Sequence, residues 1–89
     1  MQNKLEVGDS VQSHYRSRWY GRVVGIETGK YNWHGKMHHY RWARVIMLLD
    51  KCGNIQRKTK VVRYDESWFS KVDFDVTEAY LDKKMEKYN

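Results

Sequence analysis

Residues 40–50 read YRWARVIMLLD and carry the clearest secondary-structure pattern in the chain. Side chains alternate between two faces along a β-strand, and both faces of this segment are partly apolar, which is typical of a strand with neighbours on both sides. We therefore predict a central strand over residues 40–50. One face would hold Ala43, Val45, Met47 and Leu49, and the other Trp42, Arg44, Ile46 and Leu48.

Further strands are predicted on both sides of this segment. Residues 50–54 form a hairpin turn, with Gly53 suited to a left-handed backbone, and residues 55–64 form the return strand. Towards the N-terminus, residues 11–15 alternate as a short strand. Residues 19–27 are β-branched and aromatic, and the glycines inside them predict bulges where the sheet bends.

The remaining segments are shorter or less regular. Residues 28–39 show no clear period and are predicted to be a loop. One helical turn at residues 65–67 would direct Trp68 and Phe69 inward, and residues 71–74 would form a last short strand.

The C-terminus changes to a helical pattern. Asp75 followed by Glu78 is typical of a helix N-cap, and we predict a helix over residues 76–88. Leu81, Met85 and Tyr88 lie at i, i+4 and i+7 and form one apolar stripe. We expect this stripe to pack against the open end of the β-domain. The alternative is a helix that docks a partner or a second copy of the chain.

Five short strands, tight turns and no long helix before residue 75 predict a mainly β fold: a small five-stranded barrel over residues 1–74, with a C-terminal helix over 75–89 packed on it or extending from it. The segments VGDSV at residues 7–11 and WYGRVVGI at 19–26 resemble the start of SH3-like barrels of the KOW-like and Tudor-like kind. This resemblance covers about residues 5–26 and the hairpin at 42–62, and it leaves out residues 28–39 and the helix. It implies a binding module, because KOW-like domains often meet RNA, DNA or the transcription and translation machinery, whereas Tudor-like domains often meet modified peptides.

The charge of the chain is unevenly distributed. Its 89 residues carry 17 Lys and Arg against 11 Asp and Glu, a formal net charge of +6. Residues 1–63 hold 13 basic and 4 acidic side chains, or +9, and residues 64–89 hold 4 and 7, or −3. Aromatic residues make up 15% of the chain, more than a core of this size can bury. Exposed rings among positive charges indicate a surface that binds a polyanion.

Basic and aromatic residues interleave in two runs, within residues 15–22 and 30–44. Lys and Arg would contact phosphates, and exposed rings would stack on bases. The sequence therefore favours a non-enzymatic module that binds DNA or RNA. The residues predicted to bind are Arg16, Arg18, Trp19, Arg22, Lys30, Tyr31, Trp33, Lys36, Arg41 and Arg44.

Three other interpretations fit the same residues. The basic face would serve an adaptor for an acidic protein, such as a bacterial or viral accessory factor, equally well. Trp19, Tyr20, Tyr40 and Trp42 would form an aromatic cage for a methylated ammonium, although the positive surface repels such a ligand. In the third interpretation Trp19 and Trp42 are core residues and the charges are an ordinary solvated face.

Catalysis, cofactors and metals are not expected from the sequence. No glycine-rich phosphate loop is present, and Cys52 lies in a predicted turn that offers a nucleophile neither a base nor an oxyanion site. His34, His38 and His39 lie close together but lack carboxylate or thiolate neighbours, so we predict surface histidines that add positive charge in mild acid. The lone cysteine favours a reducing compartment, no apolar stretch approaches the length of about 18 residues that spans a membrane, and no signal peptide is readable. We therefore expect a cytoplasmic or other intracellular protein without a membrane partner, as a monomer or homodimer.

Overall fold

The computed structural model describes residues 4–14 and 17–86 of the chain. A 3-10 turn at Glu66–Trp68 lies between the last two strands, and one α-helix, α1, covers Val76–Glu86. The prediction of a mainly β fold with one C-terminal helix is confirmed. The strands are Ser10–Ser13 (β1), Trp19–Trp33 (β2), Lys36–Asp50 (β3), Val61–Asp65 (β4) and Phe69–Lys71 (β5).

All five strands belong to one antiparallel sheet in the order β4-β3-β2-β1-β5. Each strand pairs with the next along the chain through β4, and β5 returns to pair with β1. In the described part of the chain, β4 and β5 are the two edges, and the sheet does not close through hydrogen bonds between them. Side chains bring those edges together, since the Tyr64 and Phe69 ring centroids lie 6.3 Å apart.

Bulges shape the sheet where the glycines of β2 predict them. The pairing of β2 with β3 shifts register between Tyr20 and Gly21 and again between Val23 and Gly25. A β-carbon on Gly21 would overlap the backbone carbonyl oxygen of Ile46, so only glycine fits at this position. The bulges increase the local twist and curl the sheet around its core.

The core has two parts, and β3 contributes to both. The first part is formed by Leu5, Val11, Trp19, Val23, Ala43, Val45 and Phe69, all buried. The second part joins Leu48 and Leu49 of β3 to Val76 of α1. The prediction that β3 is central is therefore confirmed, because β3 pairs on both sides and contributes to both clusters.

The helix packs through a different face from the one predicted. Val76 is fully buried, its backbone N–H donates to Ser10 Oγ over 2.9 Å, and Ala79 and Tyr80 pack one turn later. Leu81 and Met85 are 52% and 66% exposed, so the expectation that they cover the sheet is wrong. The docking of Val76 sets the rotation of α1, because residues three and four positions further along share its face. The expected third member of the stripe, Tyr88, lies outside the described residues.

The first turn of α1 agrees with the sequence. Asp75 Oδ1 accepts a hydrogen bond from the Glu78 backbone N–H over 3.0 Å, which confirms the predicted N-cap.

Two predicted boundaries are wrong by many residues. Residues 28–39 are not a loop, because β2 continues to Trp33 and β3 begins at Lys36. The return strand does not begin at residue 55, because β4 covers only Val61–Asp65 and a single bridge joins Ile55 to Leu49. The last strand also begins two residues earlier than predicted, at Phe69, where the side chain is buried.

Candidate nucleic-acid interface

The ends of β2 and β3 extend beyond the rest of the sheet as a two-stranded arm, residues 28–41. Six cross-strand pairs hold it, from Thr28 opposite Arg41 to Trp33 opposite Lys36. The pairing of β4 stops at Trp42 and that of β1 at Arg22, so neither strand reaches the arm. At about 3.4 Å per residue the arm is about 20 Å long, and it contributes to a molecule that measures 60 × 23 × 18 Å.

A two-residue turn closes the tip of the arm. His34 and Gly35 both have positive φ angles, of 52° and 76°, as a type I′ hairpin turn requires. This turn matches the twist of the flanking strands and lets them continue to the tip. Asparagine or aspartate usually precedes the glycine in such turns. Histidine in that place gave the sequence a weaker hairpin signal.

Cross-strand neighbours share a face, so the arm has two distinct faces. The face that we call the ring face carries Gly29, Tyr31, Trp33, Lys36, His38 and Tyr40. Tyr31 and Trp33 are 51% and 61% exposed. The Tyr31 and His38 rings stack with centroids 5.3 Å apart, and Tyr40 follows 6.5 Å from Tyr31. The ring face is therefore a row of aromatic groups in which Tyr31 and Trp33 are exposed and His38 and Tyr40 are half-buried.

Glycine allows the Tyr40 ring to lie flat on the ring face. A β-carbon on Gly29 would overlap the Tyr40 ring, because the two residues are directly opposite each other. The same arrangement recurs nearer the body, where the Arg44 guanidinium lies over Gly25. Two glycines in β2 thus make room for a ring and a cation from β3.

The ring face continues into the body through Trp42. The Arg63 guanidinium lies 4.6 Å from the centroid of the Trp42 ring, within the range of a cation–π contact. Arg63 Nε also donates to Glu27 Oε2 over 2.7 Å. Glu27 is the last acidic residue before Asp50, so residues 28–49 contain four Lys and Arg, three histidines and no acid.

The opposite face of the arm is mostly polar and cationic. It carries Thr28, Lys30, Asn32, Met37, His39 and Arg41. Lys30, Asn32, Met37 and His39 are exposed, so the arm presents side chains to solvent on both faces. None of residues 28–42 is buried.

Arg41 holds the base of the arm to the body. Its Nε donates to Glu66 Oε2 over 2.7 Å, and a second guanidinium nitrogen donates to the Leu5 backbone carbonyl. Glu66 Oε2 also accepts from the Leu5 N–H over 2.9 Å. This network ties the arm, the 3-10 turn and the N-terminal segment together. Arg41, predicted as a phosphate ligand, is thus committed to contacts within the protein.

The other predicted binding residues fall into three groups. Lys30, Tyr31, Trp33 and Lys36 come together on the arm, and all are exposed. Arg18, Arg22 and Arg44 are exposed on the body, where Arg44 adjoins the base of the ring face. Trp19 is only 4% exposed and packs edge-on against Phe69 at 5.8 Å, so its ring is unavailable to a ligand. Arg16 lies outside the described residues.

The aromatic cage is not assembled. Trp19 of β2 lies opposite Asp50 of β3, whereas Trp42 lies eight residues before Asp50 on β3, so the two tryptophans are far apart along the sheet. Tyr20 packs against Phe74 with ring centroids 5.3 Å apart. Among residues 4–14 and 17–86, no three His, Cys, Asp or Glu side chains are grouped to hold a metal ion. His38 and His39 point to opposite faces of the arm.

Tyr40 and His38 were missing from the predicted binding set although both lie on the ring face. The signal that would have placed them is the alternation of Tyr31 with Trp33 and of His38 with Tyr40, taken as two paired strands around a turn at Gly35.

The comparison of the chain with family models, curated proteins and solved structures gives no match in any of the three. Within the described residues, no helix is both long and apolar enough to span a membrane.

Proposed function

We propose that the protein is a non-enzymatic nucleic-acid-binding module and that the arm is its main contact surface. One observation carries this proposal. Two aromatic rings, Tyr31 and Trp33, are more than half exposed on a two-stranded projection that has cations and no acid. Phosphates pair with Lys and Arg, and bases stack on exposed rings.

The shape of the arm supports a partner that surrounds or lies along it. A two-stranded hairpin alone is only marginally stable in water, and this arm contributes no buried side chain. Pairing with the arm of a second copy would bring together two segments that carry only positive charge. A polyanion would instead supply the opposite charge for Lys30 and Lys36, which lie on opposite faces of the arm.

We also propose that the body is an SH3-like barrel of the KOW-like or Tudor-like kind. The strand order β4-β3-β2-β1-β5 supports this assignment, because a meander whose last strand returns beside the first curls readily into a small barrel. The contact between Tyr64 and Phe69 across the sheet edges supports it further. In such a domain the arm is an elongation of the hairpin between the second and third strands.

The test is titration of labelled single-stranded and duplex DNA and RNA with the full chain at several salt concentrations, read by fluorescence anisotropy. The double variant Lys30→Ala/Lys36→Ala should bind more weakly. Each lost phosphate contact should also reduce the slope of log K against log salt, by about 0.7 on single strands and about 0.9 on duplex DNA.

The matched control is Lys83→Ala/Lys84→Ala, which removes the same two charges from the exposed end of α1. We expect this control to retain the affinity and salt slope of the unchanged protein. Equal losses in both double variants would mean that net charge, rather than the arm, determines binding. Absence of binding to every nucleic acid at low salt would reject the proposal and assign the basic surface to an acidic protein.

A further inference from the structure

We infer that the ring face of the arm selects single-stranded nucleic acid, with bases stacking on Tyr31 and Trp33. This inference rests on the proposed function and adds to it the class of ligand. The charge of the arm is satisfied by any polyanion, so it does not distinguish a single strand from a duplex. The rings do, because the flat faces of bases are accessible only where the bases are not already paired and stacked in a duplex.

The exposure of the rings is the first step of the argument. Tyr31 and Trp33 lie at alternate positions of β2 and therefore project from the same face. Large apolar groups exposed side by side on a small protein indicate a binding surface rather than ordinary solvated residues. Trp19, of the same residue type, is only 4% exposed, so the chain buries a tryptophan where the fold has room for one.

The spacing of the rings is the second step. Alternate residues of a strand are about 6.8 Å apart, which is twice the rise of about 3.4 Å between bases stacked along one strand. The backbone repeat therefore matches one base for each space between neighbouring side chains of the row, or a ring between two bases whose spacing has doubled. Tyr40, and Trp42 beyond it, continue the row towards the body, so a ring face about 20 Å long covers about six stacked nucleotides.

The positions of the cations are the third step. Lys36 lies directly opposite Trp33 at the tip, and Arg44 lies over Gly25 at the base, so cations stand at both ends of the row of rings. Lys30 lies on the other face, next to Tyr31 along the strand. A backbone that follows the row meets Lys36 and Arg44 while its bases meet the rings. This arrangement matches the combination of charge and stacking by which proteins hold unpaired strands.

A duplex would use the arm differently. A two-stranded ribbon fits the major groove and reads base edges through hydrogen bonds. Asn32, Lys30 and His39 on the opposite face provide such groups, but in that mode Tyr31 and Trp33 point away from the base edges. The duplex mode leaves the exposed rings unexplained, and the two modes depend on opposite faces of one arm.

The experiment compares single-stranded and duplex oligonucleotides of about 12 nucleotides. This length lies within the site sizes of about 4–16 nucleotides known for small domains that bind single strands. The decisive variant is Tyr31→Ala/Trp33→Ala. It should weaken binding of oligo(dT) and oligo(U) by roughly 5-fold to 150-fold for each ring removed, with an unchanged salt slope. Tyr31→Phe and Trp33→Phe keep a ring and should stay within about 3-fold of the unchanged protein, because stacking needs no hydroxyl or indole N–H.

The matched control is Met37→Ala. Met37 is 57% exposed and projects from the opposite face of the same arm, so its truncation removes a similar exposed apolar side chain without touching the rings. We expect single-strand binding to be retained in this variant. Stacking on Trp33 should quench tryptophan fluorescence, and Trp33→Phe should lose that part of the quenching.

The outcomes separate this inference from the proposed function. Preference for single strands that is lost in Tyr31→Ala/Trp33→Ala and kept in Met37→Ala supports both. Equal or tighter duplex binding that is sensitive to Lys30 and Lys36 and indifferent to the rings overturns the inference and leaves the proposed function standing. Failure to bind any nucleic acid at low salt overturns both.

Discussion

The body and the arm of this protein share two strands, β2 and β3, yet these strands use their side chains in opposite ways in the two regions. In the body, β2 and β3 are flanked by β1 and β4, and Val23, Ala43 and Val45 are fully buried. In the arm the strands have only each other, and no residue from 28 to 42 is buried. The change occurs within one or two residues of Trp42, without a break in either strand.

The contrast shows that one continuous hairpin places its apolar side chains in two different environments. Apolar groups of the body remove surface from water, and this burial stabilises the fold. Apolar groups of the arm remain in water and contribute little to the fold. The body should therefore dominate measurements of stability, and the arm should dominate measurements of binding.

The largest effect is expected from the two tryptophans at either end of β2. Trp19→Ala leaves a cavity in the core and should lower the free energy of unfolding by about 3–5 kcal/mol. Trp33→Ala, at an exposed position, should change it by less than about 0.5 kcal/mol. Urea denaturation followed by circular dichroism measures both.

Trp19→Phe keeps most of the buried volume and provides a readable variant if Trp19→Ala does not fold. A loss of more than about 1 kcal/mol of unfolding free energy in Trp33→Ala would contradict the contrast between body and arm, because it would mean that the arm packs against another part of the protein.

A smaller effect is expected where the arm meets the body. Glu66 is partly buried, and its carboxylate accepts one hydrogen bond from the Arg41 guanidinium and one from the Leu5 backbone N–H. Glu66→Gln removes the ion pair and should cost about 1–3 kcal/mol, with faster hydrogen exchange at the Leu5 amide. Glu27→Gln is the matched control, since its ion pair with Arg63 is about half exposed and should contribute less than about 1 kcal/mol. Equal losses of unfolding free energy in the two variants would show that Glu66 has no special role in joining the arm to the body.

The smallest global effect is expected at the tip. Gly35 and Gly53 have φ angles of 76° and 82°, and a β-carbon on either would meet no atom within 4 Å. An alanine at either position therefore costs only backbone strain, about 1–2 kcal/mol. Gly53→Ala, in the turn after β3, should lower the global free energy of unfolding by this amount. Gly35→Ala should leave the global value nearly unchanged and accelerate hydrogen exchange only in the arm. Equal global losses would show that arm and body unfold as one unit.

The sequence predicted the body better than the arm, for a physical reason. Burial imposes a period of two on apolar residues, which is why residues 40–50 were identified as a central strand. The arm buries neither face, so polar residues occur on both and no apolar period is visible. The same absence of burial explains why β4 is shorter than predicted. Residues 57–60 are exposed, so no burial pattern in the sequence marks the residue at which the strand begins.

The candidate site was predicted in composition and not in arrangement. The mixture of cations and rings within residues 28–44 was visible, but the positions of Trp19 in the core and of Arg41 in an ion pair depend on contacts with Phe69 and Glu66, far away in sequence. The helix shows the same limit. Its apolar stripe was visible, whereas the burial of Val76 against Leu48 and Leu49 decides which side faces the sheet.

The position of the single thiol has a practical consequence. Cys52 is exposed and follows the end of β3, whereas the tip of the arm precedes its beginning. Fifteen residues of strand separate them, which corresponds to about 50 Å. A fluorophore or surface linker attached through this one sulfur would stand far from Tyr31 and Trp33, so the chain can be immobilised with its arm directed into solution without any cysteine being added or removed.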